Sequence, residues 1–143
     1  MTSDQRTRTA AVIDVGLWAL TVACAGATFW FSFVAPPPGA DLFSGADKVG
    51  HAVAYFATTL SFLFAAVWRP VRGPGPFPHL KLWFAFAAIA GGAVIEILQG
   101  MTASRSAQAL DLVAEAVGTA SALLVHTLVR RHAAASRRFD PLA

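Results

Sequence analysis

The chain has 143 residues, of which 56% are hydrophobic and only 13% are charged. This is the size of one domain, but the charge content is about half that of a soluble domain, so the mean hydropathy of +0.57 predicts an integral membrane protein. The net charge of +3 does not indicate a nucleic-acid partner, because the basic residues stand in short clusters beside apolar runs, where membrane topology explains them. The single Cys24 excludes an intrachain disulfide.

Four apolar runs follow one another, each with about the 20 residues that a helix needs to cross a bilayer. The predicted helices span about residues 10–35, 46–68, 80–100 and 109–129. A polar segment, 1–9, precedes this membrane domain of residues 10–130, and a basic tail, 131–143, follows it. Prolines and glycines exclude a helix between the second and third runs. The expected fold is therefore an all-α membrane protein, a four-helix transmembrane bundle.

The basic residues predict the orientation of the bundle. With four spans, both termini lie on one side, together with nine of the eleven Lys and Arg residues. Lys48 and Arg105 are the two on the other side. The excess of positive charge predicts that both termini are cytoplasmic.

Polar side chains interrupt the second apolar run near its predicted outer end. Asp47, His51 and Tyr55 are four residues apart, so they lie along one stripe of a helix, with Lys48 beside them. At 1.5 Å per residue, His51 lies about 6 Å and Tyr55 about 12 Å deeper than Asp47. Ionisable groups within membrane spans face a bundle interior or a wet cavity, which predicts one wall of a polar pocket.

The third and fourth runs bring further polar residues to the same end of the bundle. These residues are Glu96, Gln99, Arg105, Asp111 and Glu115. Gly92 and Gly118 share their helical faces, and small residues let membrane helices approach closely. We expect a hairpin of the third and fourth helices, with the second helix completing an outward-facing pocket. The same small-residue faces would serve a homodimer, so the sequence leaves the oligomeric state open.

Taken in order, these motifs resemble the VanZ-like family of small bacterial membrane proteins. The resemblance covers about residues 46–125 and rests on Asp47-Lys48-x-x-His51-x-x-x-Tyr55, Glu96-x-x-Gln99, Arg105 and Asp111. It implies a multi-pass protein of the bacterial cytoplasmic (inner) membrane, in a family whose namesake is linked to low-level teicoplanin resistance. The family's biochemical activity is not well defined. Where the family has Asn four residues after its last Asp, this chain has Glu115, an extra carboxylate that could accept a cation.

The first hypothesis for the pocket is recognition of an anionic amphiphile or a lipid-linked envelope precursor in the outer leaflet. Lys48 and Arg105 would pair with its phosphate or carboxylate. Membrane lipids or this precursor would be the partners. Further ligand contacts would come from Asp47, Tyr55, Gln99 and Glu115.

The second hypothesis is an intramembrane enzyme that acts on such a substrate. His51 would be the general acid or base, oriented by Asp47 or Glu96, and the tentative catalytic set is His51, Glu96 and Asp111. The same three side chains could in principle hold a metal ion. However, the chain has neither a His-Glu-x-x-His motif nor a Cys cluster, so no metal or other cofactor is predicted.

The third hypothesis is a purely structural network that fixes the packing of the helices. A polar contact between membrane helices contributes about 0.6 kcal/mol. So small a gain argues against this role, because Gly92 and Gly118 already favour close packing.

Overall fold

A computed structural model describes residues 2–33, 42–69, 73–74, 79–101 and 108–138. Its long helices are α1 (Ser3–Phe33), α2 (Ala46–Phe62), α3 (Leu80–Gly100) and α4 (Ala109–Arg138). A π-helical turn, Leu63–Val67, continues α2. The described residues thus form four helices long and apolar enough to cross a membrane, α2 together with its π turn being one of them. This confirms the predicted four-helix architecture of a multi-pass membrane protein.

The helices alternate in direction, so α1 begins and α4 ends at the same end of the bundle. Gln99 near the end of α3 donates to the backbone carbonyl of Ser32 near the end of α1 (2.6 Å). At that same end, Lys48 in the first turn of α2 pairs with Asp111 in the first turn of α4. We call this end the acidic end and the opposite end, where α1 begins and α4 ends, the basic end.

The ends of α1 and α4 differ from the sequence prediction. Helix α1 begins at Ser3 rather than near residue 10, because Thr2 and Gln5 form a reciprocal capping box: Gln5 N donates to Thr2 Oγ1 (3.3 Å) and Thr2 N to Gln5 Oε1 (2.9 Å). Helix α4 continues to Arg138, so most of the predicted tail is helical. Hydropathy marks only the part of a helix that suits lipid, whereas Ala and Arg extend a helix into water.

Two short strands follow the π turn, and the sequence analysis did not predict them. Strand β1 (Trp68–Arg69) pairs antiparallel with β2 (Gly73–Pro74), with Trp68 opposite Pro74. Proline cannot donate to a ladder, but in a ladder of two strands each strand is an edge, where proline is tolerated. The described residues of the segment predicted to be non-helical, Arg69 and Gly73–Pro74, therefore lie in a short ladder.

Glycine allows α2 and α4 to approach each other closely. A Cβ on Gly118 would collide with the backbone carbonyl oxygen of Ala52. Helix α4 contacts α3, as in the expected hairpin, but it packs more extensively on α2. The hydropathy pattern identifies faces of helices but does not identify which faces meet.

Aromatic side chains join the helices toward the basic end. Phe62 of α2 stacks on Phe84 of α3, with ring centroids 3.7 Å apart, and its edge meets Trp18 of α1 at 5.9 Å. Other large apolar side chains face outward, Trp30 with 54% and Trp83 with 69% of its surface exposed. Outward-facing apolar surface on these helices is what a lipid environment accommodates.

Candidate functional site

The first turn of α2 places Asp47 and Lys48 at the acidic end. The helix starts after Gly45, which has a φ of +88°, a left-handed conformation that glycine adopts without a steric cost. Asp47 then lies in the first helical turn, where the helix dipole stabilises negative charge. The local backbone thus brings a carboxylate and an ammonium group together at the mouth of the bundle.

Lys48 joins α2 to α4. Its Nζ donates to Asp47 Oδ2 (2.6 Å) and to Gln108 Oε1 (2.6 Å), and it forms an ion pair with Asp111 Oδ1. The Lys48 side chain is 21% exposed and that of Asp111 only 9%. Lys48 is therefore already neutralised by two carboxylates in the structure.

His51 lies one turn deeper, between two carboxylates of α4. Its Nδ1 is 3.3 Å from Glu115 Oε1, and its Nε2 is 3.9 Å from Asp111 Oδ2. The sequence analysis expected Asp47 or Glu96 to orient this imidazole. The carboxylates at hydrogen-bond and ion-pair distance are instead those of Glu115 and Asp111, because α4 rather than α3 packs most closely on α2.

Glu115 lies at the centre of the site, with only 1% of its surface exposed. Its carboxylate occupies the space that a side chain on Gly92 would fill, and the Tyr55 hydroxyl borders the same space. Tyr55 is itself buried, with 7% exposed. Position 92 therefore favours glycine, because a Cβ there would take the space that the Glu115 carboxylate occupies against α3.

Glu96 and Gln99 connect α3 to its neighbours. Glu96 Oε2 accepts a hydrogen bond from the backbone N–H of Gln108 (2.7 Å), just before α4. Its other oxygen, Oε1, is buried and accepts no hydrogen bond from any described residue. Gln99 bridges α3 to α1 through the Ser32 carbonyl. A buried acceptor without a donor is costly, so Glu96 Oε1 is where a bound molecule could donate.

The structure therefore brings eight of the nine predicted site residues to the acidic end, whereas Arg105 lies outside the described residues. We call the charged members the acidic cluster: Asp47, Lys48, His51, Glu96, Asp111 and Glu115. It holds four carboxylates against one lysine and one histidine. Among the described residues, no group of three or more His, Cys, Asp or Glu side chains is arranged to hold a metal ion.

An apolar groove adjoins the acidic cluster between α1 and α2. Its volume is about 300 Å³ and its walls are mainly small or apolar, with His51 and Tyr55 among the residues that border it. Residues of α1 that line it include Cys24, Ala27 and Phe31. The sequence analysis missed this groove because α1 carries no polar motif that would mark one of its faces.

Comparison of the chain with protein-family models, with curated proteins and with solved structures found no match. The resemblance to the VanZ-like family therefore remains a prediction that rests on the motif residues alone. Gln108 is a further contact residue that the sequence analysis missed: it binds both Lys48 and Glu96. Its position directly before Ala109, at the start of α4, is the signal that could have identified it.

Proposed function

We propose that the protein recognises an amphiphilic molecule of the membrane, with the polar head at the acidic cluster and the apolar chain in the groove between α1 and α2. The single observation that carries this proposal is that His51 and Tyr55 border both regions. A molecule in the groove would thus place its head beside the imidazole and the phenol. Pockets with apolar walls and a few convergent polar groups are the usual form of small-molecule sites.

The charges of the cluster favour a head group that donates hydrogen bonds, such as an amine, a hydroxyl or a sugar. Lys48 already pairs with Asp47 and Asp111, and the carboxylates outnumber the cations. Glu96 Oε1 adds a buried acceptor that no described residue satisfies. The anionic head predicted from the sequence would then depend on Arg105. A lipid-linked envelope precursor carries both sugars and phosphate, so it remains the proposed class of ligand.

The proposal also includes the orientation of the bundle in the membrane. The distribution of basic residues supports cytoplasmic termini, and in that orientation the acidic end faces outward. With the resemblance to a bacterial family, this supports a role at the outer leaflet of the bacterial cytoplasmic membrane. Teicoplanin resistance stays a prediction from that resemblance.

The test uses a groove-filling substitution and a matched control on the same helix. Ala27 lines the groove, whereas Ala25 is also exposed on α1 but does not line it. We expect wild-type protein and Ala25→Trp, purified in mild detergent, to retain one class of amphiphile in mass spectrometry of the extracted lipids. Ala27→Trp should lose it. A bulk-lipid composition in all three samples would contradict the proposal.

A second candidate function, acid–base catalysis on the same ligand, is favoured by the surroundings of His51. A carboxylate faces each nitrogen of its imidazole, at 3.3 Å and 3.9 Å, and a histidine oriented by a carboxylate is a common general acid–base pair. If the protein is an enzyme, His51→Gln should abolish turnover of the co-purified amphiphile while its retention persists. Retention together with unchanged turnover would exclude His51 as the acid–base group.

A further inference from the structure

A second polar crevice lies at the opposite, basic end of the bundle, between the start of α3 and the last turns of α4. Its volume is about 240 Å³. The residues that line this basic crevice are Lys81, His126, Thr127, Arg130, Arg131 and Ala134. It combines a residue near the start of α3 with residues about 50 positions later in the chain, so only the packing of the helices creates it.

The cations of the basic crevice have no acidic partners among the described residues. The ion pairs of the described residues all lie outside the crevice: they join Arg8 to Asp4, Lys48 to Asp47 and Asp111, and His51 to Asp111 and Glu115. None of them involves Lys81, Arg130 or Arg131. Like charges held together at a partly closed site repel one another, so the arrangement favours an anion between them.

The floor of the crevice is fixed in position. His126 is 1% exposed, and its ring meets that of Phe64, in the π turn after α2, edge to face, with centroids 5.4 Å apart. Next to it, Thr127 is tied to its own helix by a hydrogen bond from Oγ1 to the Leu123 carbonyl (2.7 Å). The cations therefore line a shaped cavity with a packed base.

The crevice also lies at the depth of lipid phosphates. Arg130 is 21 residues beyond Ala109, which corresponds to about 32 Å along α4. A hydrocarbon core is roughly 30 Å thick, so Arg130 reaches the headgroup layer when the acidic end lies at the other surface. Lys81, in the first turn of α3, lies at the same level. Basic pockets between membrane helices are known sites for anionic headgroups.

We infer that the basic crevice is a specific binding site for a phosphate anion, supplied by the headgroup of an anionic phospholipid. The arginines provide planar, bidentate donors for phosphate oxygens, and Lys81 completes the site from α3. The site is independent of the acidic cluster and of any ligand bound there.

Native mass spectrometry of the full chain in detergent, titrated with phosphatidylglycerol or phosphatidylcholine, tests this inference. The variant is Lys81→Gln/Arg130→Gln, and the control is Arg6→Gln/Arg8→Gln, which removes the same charge at the same end of the bundle but outside the crevice. A basic residue held against the headgroup layer favours anionic lipid by about a factor of five, so loss of two crevice cations should weaken binding of the first phosphatidylglycerol about 30-fold. The control should differ from wild type by less than about threefold, because Arg6 and Arg8 are exposed to solvent and Arg8 already pairs with Asp4.

Two further arms complete the test. If inorganic phosphate displaces the first phosphatidylglycerol, the site binds the phosphate group itself. If it does not, the site requires the attached lipid. Either result supports the inference. The swap Lys81→Arg/Arg130→Lys keeps the charge and should retain at least part of the preference for phosphatidylglycerol, which separates recognition from misfolding. Equal losses in the crevice variant and the control, or no loss in either, would overturn the inference.

Discussion

Charged side chains have opposite surroundings at the two ends of this bundle. At the acidic end, charged side chains of α2 and α4 contact one another, and Lys48 and His51 each lie against carboxylates. At the basic end, aromatic rings join the helices, and the cations of the crevice have no carboxylate partner in the part of the chain that the structure describes. The acidic end therefore uses charge to hold the fold together, whereas the basic end leaves its charge available for a partner.

This difference also separates the two sites energetically. Removing one member of a buried ion pair leaves its partner desolvated and unpaired. Removing a cation that has no partner leaves no unpaired charge in the protein. Stability should thus be sensitive to charge at the acidic end and insensitive to it at the basic end. Binding of an anionic lipid should show the reverse pattern.

The largest effect is expected from Lys48→Ala compared with Arg130→Ala. Loss of Lys48 leaves Asp111, whose side chain is 9% exposed, without its cation, which should lower the free energy of unfolding by about 3 kcal/mol. Loss of Arg130 should change it by less than about 0.5 kcal/mol. Reversible unfolding in detergent measures both.

A double substitution identifies the cause. Asp111→Asn removes the negative charge that Lys48→Ala leaves unpaired. The double variant Lys48→Ala/Asp111→Asn should therefore be more stable than Lys48→Ala alone. A double-mutant cycle measures this coupling. Equal destabilisation by Lys48→Ala and Arg130→Ala would remove the distinction between the two ends. The ion pairs of Lys48 with Asp47 and Asp111 are the reason for this expectation.

The next largest effect should come from Gly118, which holds α2 against α4 between the two ends. In Gly118→Ala, the new Cβ would collide with the Ala52 carbonyl, and overpacking of this kind costs about 2 kcal/mol. The matched control is Gly91→Ala on α3, where a Cβ meets nothing within 4 Å. The control should be neutral or slightly stabilising, because alanine favours a helix more than glycine does.

The same pair of variants distinguishes the two sites. Gly118→Ala should separate His51 from Glu115 and weaken retention of the amphiphile, while the basic crevice, formed by α3 and α4, keeps its affinity for phosphatidylglycerol. A parallel loss of both activities would mean that the two ends are one coupled unit.

Much of the fold was predictable, because hydropathy directly reports which segments suit lipid. It found the four helices, but it could not find their ends, which depend on hydrogen bonds and on propensity in water. The capping box of Thr2 and Gln5 was visible in the sequence as a Thr-x-x-Gln pattern, and it was overlooked. The π turn and the β1–β2 ladder have no comparable signal.

The candidate site was predictable to the level of helix faces. Spacing by four residues placed Asp47, His51 and Tyr55 on one stripe, and the structure brings them to one end. Spacing cannot say which helices are neighbours, so the carboxylates beside His51 were assigned to the wrong positions. The basic crevice was missed for the same reason, because nothing in the sequence indicates that α3 and α4 bring Lys81 and Arg130 together.

A smaller effect on stability than that of Gly118→Ala, but the sharpest effect on the acidic cluster, is expected from Gly92→Ala. Its Cβ would overlap Glu115 Oε2, but this is the far end of a flexible side chain, so the carboxylate can shift at a cost of about 1 kcal/mol. Moving Glu115 should lengthen its 3.3 Å contact with His51 and change the ¹⁵N NMR shifts of the imidazole. Neighbouring Gly91→Ala, with open space around its Cβ, should leave those shifts unchanged. If both substitutions leave the imidazole and the retained amphiphile as in wild type, Glu115 does not position His51, and the ligand must be recognised by other members of the acidic cluster.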